Sequence, residues 1–389
     1  MKKSGKLWMF MFLIFILTSC NRDNGGSVSN KPPQTPKEYI GFKLEMELKV
    51  DDRDVISLSN NGKYMLTCEM EEYLTFYVYN TSDSALIKKI ELEAADMSYP
   101  EGRTIFWSND GERFAFYEPG FLQTLNNSDI NICDIEAGTI MNLTGLSDEG
   151  DSLDDGMLLD SLPAWSSDDK SITFSRYSRE FRGICTVDIK SKEVKNLHEF
   201  SEADYLTAWN ALINFDDNIY LNTTAGDASV PQGIVKLVKG KEEMLVPRSG
   251  DEERPVLMSV SNDQTKLLYY VIDEVSRELK VMCLDTKTLT AEELKPTTGY
   301  DMVVNAIFSP NGQYVLQVER SIGRGKSGLT LVELENMSEP GKLMYETEEI
   351  NITFGTTSNP LNYRMITPTW AYNDYIAIND EIPILLKAE

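Results

Sequence analysis

The 389-residue chain carries 37 basic and 62 acidic side chains, a formal charge of −25. Such a surface repels phosphate backbones, so nucleic acid is excluded as a partner, and the charge is read as a means of staying soluble. With one histidine, His198, and no Gly-rich phosphate loop, neither a histidine-based zinc site nor a nucleotide cradle can be assembled, and no cofactor is expected.

Lys2, Lys3 and Lys6 precede an unbroken apolar run from Leu7 to Leu17, shorter than the roughly 20 apolar residues a bilayer span needs. Charged start and apolar run together read as an export signal over residues 1–19. The tetrapeptide Leu17-Thr18-Ser19-Cys20 that ends it resembles the lipobox of bacterial lipoproteins. That resemblance implies cleavage before Cys20, a lipid on Cys20 that makes the membrane a partner, and a location in the bacterial cell envelope outside the cytoplasm. Cleavage would take three lysines from the 37 basic residues, leaving 34 against 62 acidic ones, a formal charge of −28. Residues 20–37, rich in Gly, Ser, Asn and Pro and without apolar periodicity, are expected to be a flexible tether, and residues 38–389 the folded domain.

From residue 58 onward one pattern recurs: a strand ending in an apolar residue, a Ser, a turn, and a second strand. It reads Ser59-Asn60-Asn61-Gly62, Ser108-Asn109-Asp110-Gly111, Ser166-Ser167-Asp168-Asp169, Asn214-Phe215-Asp216-Asp217, Ser261-Asn262-Asp263-Gln264, Ser309-Pro310-Asn311-Gly312 and Ala371-Tyr372-Asn373-Asp374. Asn-Gly and Asp-Gly supply the positive φ angles of tight hairpins. Successive copies lie 49, 58, 48, 47, 48 and 62 residues apart. A period near 48 leaves room for four short strands, the size of a propeller blade, whereas an all-β sandwich, the second choice, needs no fixed interval. Third strands are expected at Leu74–Tyr79, Asp129–Ile135, Ile184–Ile189, Leu279–Leu284 and Leu329–Leu334, with a fourth strand at Ile140–Leu143.

These motifs resemble the WD-like repeats of TolB-type propellers, over nearly the whole of the domain. The resemblance implies an all-β propeller fold and no particular activity. Seven copies predict seven four-stranded blades, or six if the degenerate fourth copy is an insertion. The last blade is expected to take its third strand from Ile382–Leu386 and its outermost strand from Gly41–Val50, so that the two termini close the ring. Cys68, Cys133, Cys185 and Cys283 sit in strand-like apolar runs with no C-x-x-C pair, and are read as buried thiols, a disulfide remaining open.

In a four-stranded meander the Ser-turns share one face, and the long connections fall on the other. Binding usually resides in loops on a rigid scaffold, so the long-loop face is the expected working surface. Two groups of cations stand there: Arg176, Arg179 and Arg182 with Tyr177 and Phe181, and Arg320, Arg324 and Lys326. Arg beside aromatics suits a partner surface, here one with an acidic or carboxylated ligand, although ordinary salt bridging explains the same residues. Asp151, Asp154 and Asp155 invite a calcium reading, but from Asp151 the third position is Leu153 and the twelfth Leu162, so the EF-hand ligand pattern fails. No G-x-S-x-G elbow accompanies His198, and abundant carboxylates say little about a paired-acid site. The sequence therefore reads as a binding or scaffold module for a protein, peptide or glycan and not as an enzyme, the alternative being a carbohydrate-active or lyase-type propeller enzyme.

Overall fold

In the computed structural model, the residues described are 41–47, 49–50, 53–54, 57–70, 73–93, 105–117, 128–145, 159–178, 181–200, 206–224, 232–249, 253–273, 279–309, 311–321, 323–337, 339, 341–348, 367–370, 375–379 and 384–388. Seven four-stranded antiparallel sheets follow one another along the chain, each a meander with its strands in sequence order except the last. Blade 1 is Ser57–Leu58, Tyr64–Met70, Tyr73–Asn80 and Leu86–Glu93; blade 2 is Ile105–Trp107, Arg113–Tyr117, Ile130–Asp134 and Thr139–Asn142; blade 3 is Leu159–Trp165, Ser171–Tyr177, Arg182–Asp188 and Val194–Glu199. Blade 4 is Leu206–Phe215, Asn218–Thr224, Gly233–Val238 and Lys241–Pro247, and blade 5 is Glu253–Val260, Lys266–Asp273, Leu279–Asp285 and Ala291–Glu293. Blade 6 is Met302–Phe308, Tyr314–Ser321, Lys326–Glu333 and Lys342–Glu348.

Blade 7 combines Thr367–Trp370, Tyr375–Asn379 and Ile384–Ala388 with Phe42–Glu47 from the other end of the chain, in register from Phe42 against Ala388 to Glu47 against Ile384. The terminal pairing is thus as the sequence predicts, except that the outermost strand stops at Glu47. Lys49–Val50 instead forms a small ladder with Arg53–Asp54. The degenerate fourth copy builds a full blade, which removes the six-bladed alternative. The fold is a seven-bladed β-propeller.

First strands of blades 3 to 7 touch in succession and form the hub. The core lies between blades: Leu66, Phe76 and Val78 of blade 1 meet Trp107, Phe114 and Phe116 of blade 2, with Phe76 edge-on to Phe114 at 5.1 Å. Such aromatic pairs add about 1 kcal/mol beyond their buried area. Cys68, Cys133, Cys185 and Cys283 are buried, reduced thiols, and burial pushes the pKa of Cys185 and Cys283 up to about 12.

The Ser of the repeat has a specific role. In five copies its hydroxyl donates to the carboxyl or amide two residues on, as from Ser59 to Asn61 Oδ1 at 2.7 Å and from Ser108 to Asp110 Oδ1 at 2.6 Å. The same oxygen accepts the backbone N–H five residues on, at 2.9–3.0 Å. This closes a four-residue loop around a β-turn, longer than a two-residue hairpin, and only its last turn position takes positive φ: Gly62 at 68°, Gly111 at 70°, Gly312 at 69°, Asp169 at 56° and Gln264 at 59°. The fourth copy does not need the Ser, because Asp216 and Asp217 alone join strands paired through Phe215 and Asn218.

Candidate functional site

The two faces of the ring differ in what their side chains are doing. On the short-turn face, each hairpin from blade 1 to blade 5 is tied to the next. Asn60 Nδ2 donates to Trp107 O and Ser108 O, and Asn61 Nδ2 to Asp110 O. Asp169 of blade 3 accepts Asn109 N, Asn109 Nδ2 and Asp110 N at 2.7–3.0 Å, Asp216 of blade 4 accepts Ser167 N and Ser167 Oγ, and Gln264 of blade 5 accepts Asn218 Nδ2. Three residues that occupy a left-handed position without being glycine therefore use their side chains as acceptors from the preceding blade. Near the hub this face holds a cavity of about 20 Å³ between Asn60, Trp107, Trp165 and Asn214, room for one water. A polar groove of about 340 Å³ separates blades 4 and 5, lined by Lys236, Glu243, Asp263, Gln264 and Lys287.

On the opposite face, the blade 3 hairpin places its predicted residues in different roles. Arg176 is bound in the blade: Nε and Nη2 donate to both oxygens of Asp160 at 2.8 and 2.7 Å, and the Asp160 side chain is 0% exposed. Asp160 N in turn donates to Ser128 O, which fastens blade 2 to blade 3. Burial raises the Asp160 pKa even though Arg176 pulls it down. Phe181 packs on the core between blades 2 and 3, and its backbone closes the turn with Ser178. Tyr177 and Arg182 form a cation–π pair at 4.9 Å. Arg179 lies outside the described residues, as do Asp151, Asp154, Asp155 and Cys20.

Blade 6 carries the other cationic group. Arg320, 5% exposed, is a buried strand residue and not a loop cation, and Lys326 opens the next strand of the blade. Lys326 pairs with Glu346 at 2.6 Å, and Tyr300 OH donates to the same carboxylate at 2.7 Å. These two contacts hold the Glu346 carboxyl below the usual range, Lys326 first. The Arg324 side chain is exposed and lies over Gly299, whose φ is +104°, and the Tyr300 hydroxyl lies against Gly328, so both glycines leave room for the group above them. The two cationic groups stand on different blades with blades 4 and 5 between them along the chain; the structure does not bring them together.

The sequence reading missed Glu319, which is 0% exposed. Its carboxylate accepts Thr297 N at 3.0 Å and Thr297 Oγ1 at 2.6 Å. Aligning the repeats on their Ser puts Glu319 at the same position as Arg176, a signal available without the structure. His198 sits on the outer strand of blade 3 and bridges to blade 4 through Gly240 O at 3.1 Å and Glu242 Oε1 at 2.7 Å. Among the described residues, no three or more His, Cys, Asp and Glu side chains are grouped to hold a metal ion.

No protein-family model matches the sequence, and no curated protein matches it either. Solved structures do. An oligogalacturonate lyase from Vibrio parahaemolyticus superposes with a TM-score of 0.55 over 90% of this chain and 98% of that one, at 12% identity. The fold is shared. Another oligogalacturonate lyase structure, a complex with manganese, gives a TM-score of 0.56 over 90% and 97%, at 11% identity. TolB from Acinetobacter baumannii is similar at a TM-score of 0.44, with 17% identity over 74% of this chain and 66% of that one. At these identities the lyase structures define the propeller architecture and carry no activity across.

Proposed function

We propose that this propeller is a lipid-anchored, extracytoplasmic binding or scaffold module whose long-loop face takes up a protein, peptide or glycan. One observation carries the reading: the direction in which the chain enters the ring. The third strand of each blade runs toward the short-turn face, so Ala388 lies at that face, and Phe42, paired with Ala388, begins there too. A tether from Cys20 to residue 41 therefore joins the ring on the short-turn side. The long-loop face is then the one opposite the point of attachment. Short-turn side chains of blades 1 to 5 are engaged with neighbouring blades, whereas the opposite face offers Arg182 stacked on Tyr177 and the exposed Arg324.

Anchoring and binding are tested separately. Metabolic labelling with a fatty acid should mark the wild type and not Cys20→Ala; unlabelled wild type removes the anchor. On solubilised membranes and a glycan panel, wild type should retain a ligand that the double variant Arg182→Glu with Arg324→Glu loses while remaining folded. Equal retention removes this face as the binding surface. Turnover of any glycan on the panel, abolished by changing a single carboxylate, would replace the binding module with an enzyme.

A further inference from the structure

Two carboxylates among the described residues are wholly buried, Asp160 and Glu319, each 0% exposed. They belong to equivalent cross-strand slots of two blades, and the slots are filled differently. In blade 3 the slot pairs Asp160 with Arg176, and the charges cancel. In blade 6 it pairs Val303 with Glu319, and among the described residues no cation acts on the carboxylate. An isolated buried charge costs far more than a buried neutral acid, and groups in such places neutralise instead.

The surroundings supply what a neutral acid needs. Gln317 lies two residues before Glu319 on the same face of the strand; it is 1% exposed, and its Oε1 has no hydrogen-bond partner. Thr330, directly across from Gln317 and 0% exposed, comes near enough to influence Glu319 without reaching hydrogen-bond geometry. Each Glu319 oxygen accepts one hydrogen bond, both from Thr297, and Gln317 Oε1 is an acceptor that lacks the donor a carboxylic acid could supply. A buried amide oxygen left bare is destabilising.

We infer that Glu319 is a proton-binding site in the seam between blades 5 and 6, its carboxyl group kept neutral with the O–H donated to Gln317 Oε1. Among the described residues, the titratable groups that bear on it are few. Tyr300, from the loop ahead of blade 6, feels Glu319, Glu346 and Arg324; Tyr270 of blade 5 packs in the same core and feels Arg254; burial raises both phenols out of the working range. Asp301 binds the Ser321 hydroxyl, and Arg320 lies on the alternate face of the strand. Burial also raises the pKa of Glu319 itself. A carboxyl with a higher pKa folded than unfolded binds more protons when folded. Its contribution to stability is therefore full below the unfolded value and is lost as pH rises through the folded one.

Infrared spectroscopy and thermal unfolding of the mature protein test this between mildly acidic and neutral pH, where surface carboxylates are ionised. Wild type should show a carboxylic-acid carbonyl band that shifts in D2O and fades as pH rises, with a fall in Tm over the same interval. In Glu319→Gln, whose amide can donate to Gln317 as the acid does, the band should be absent and that part of the Tm profile flat. Gln317→Leu, which removes the acceptor but keeps Glu319, should move the fading of the band to lower pH. A wild type without the band, an unchanged Tm profile in Glu319→Gln, or an unmoved band in Gln317→Leu would each overturn the inference. So would a Tm that rises with sodium over choline chloride in wild type alone, which would make the occupant a cation.

Discussion

Arg176 looks in the sequence like a free surface cation beside aromatics; in the fold it is half of a buried ion pair. The Asp160 pKa is raised and not lowered, so the cost of burying the carboxylate outweighs the pull of its partner. Pairs of this kind are weak stabilisers when intact and strong liabilities when broken. Arg176→Ala should therefore cost about 3–5 kcal/mol by leaving Asp160 uncompensated, read as a lower urea midpoint, whereas replacing both residues by leucine should cost much less. An equal loss in the two would mean that packing of the arginine stem, and not charge, governs this position. The result also decides how an Arg176 binding variant is to be interpreted, since loss of binding there follows from loss of the blade 2–3 seam.

Elements were more legible than their contacts. The Ser-turn repeat and its period locate all seven hairpins, because turn chemistry is local and written in a few residue types. The third strand of blade 2, Ile130–Asp134, falls inside its predicted range, and those of blades 1 and 3 within two residues of theirs. What was not legible is which side chains cross between blades. The left-handed position of the turn is Gly in some copies, Asp or Gln in others, and at Gly111, Asp169 and Gln264 the neighbouring hairpin explains the choice. Over Gly111 the Asn61 amide of blade 1 leaves no space: a Cβ there would lie 2.5 Å from Asn61 Cγ, whereas nothing lies within 4 Å of one on Gly312. Both have φ near +70°. Gly312→Ala should thus show only the strain of a left-handed alanine, about 1 kcal/mol, while Gly111→Ala should be measurably worse in the same denaturation series. Arg320 stayed hidden for a similar reason: a charged residue near a strand end reads as loop until the register shows it inside the sheet.

For the whole molecule, one ladder between the first and last strands makes seven blades a ring. That ladder also sets an order of events. Phe42 cannot meet Ala388 until nearly every other residue has been made, and contacts so distant along the chain are slow to form. The first six blades each fold from neighbouring strands, so closure comes last. Until then Phe42–Glu47 must wait without a partner, and the edge it will cover stays open to other strands. A chain shortened to residue 383 should retain local β-structure by circular dichroism yet self-associate, with broadened unfolding; a sharp, monomeric transition would show that six blades suffice. The interval between synthesis and closure is when this protein is most exposed to wrong pairing, and any helper that shields an unpaired strand would act on its first folded residues.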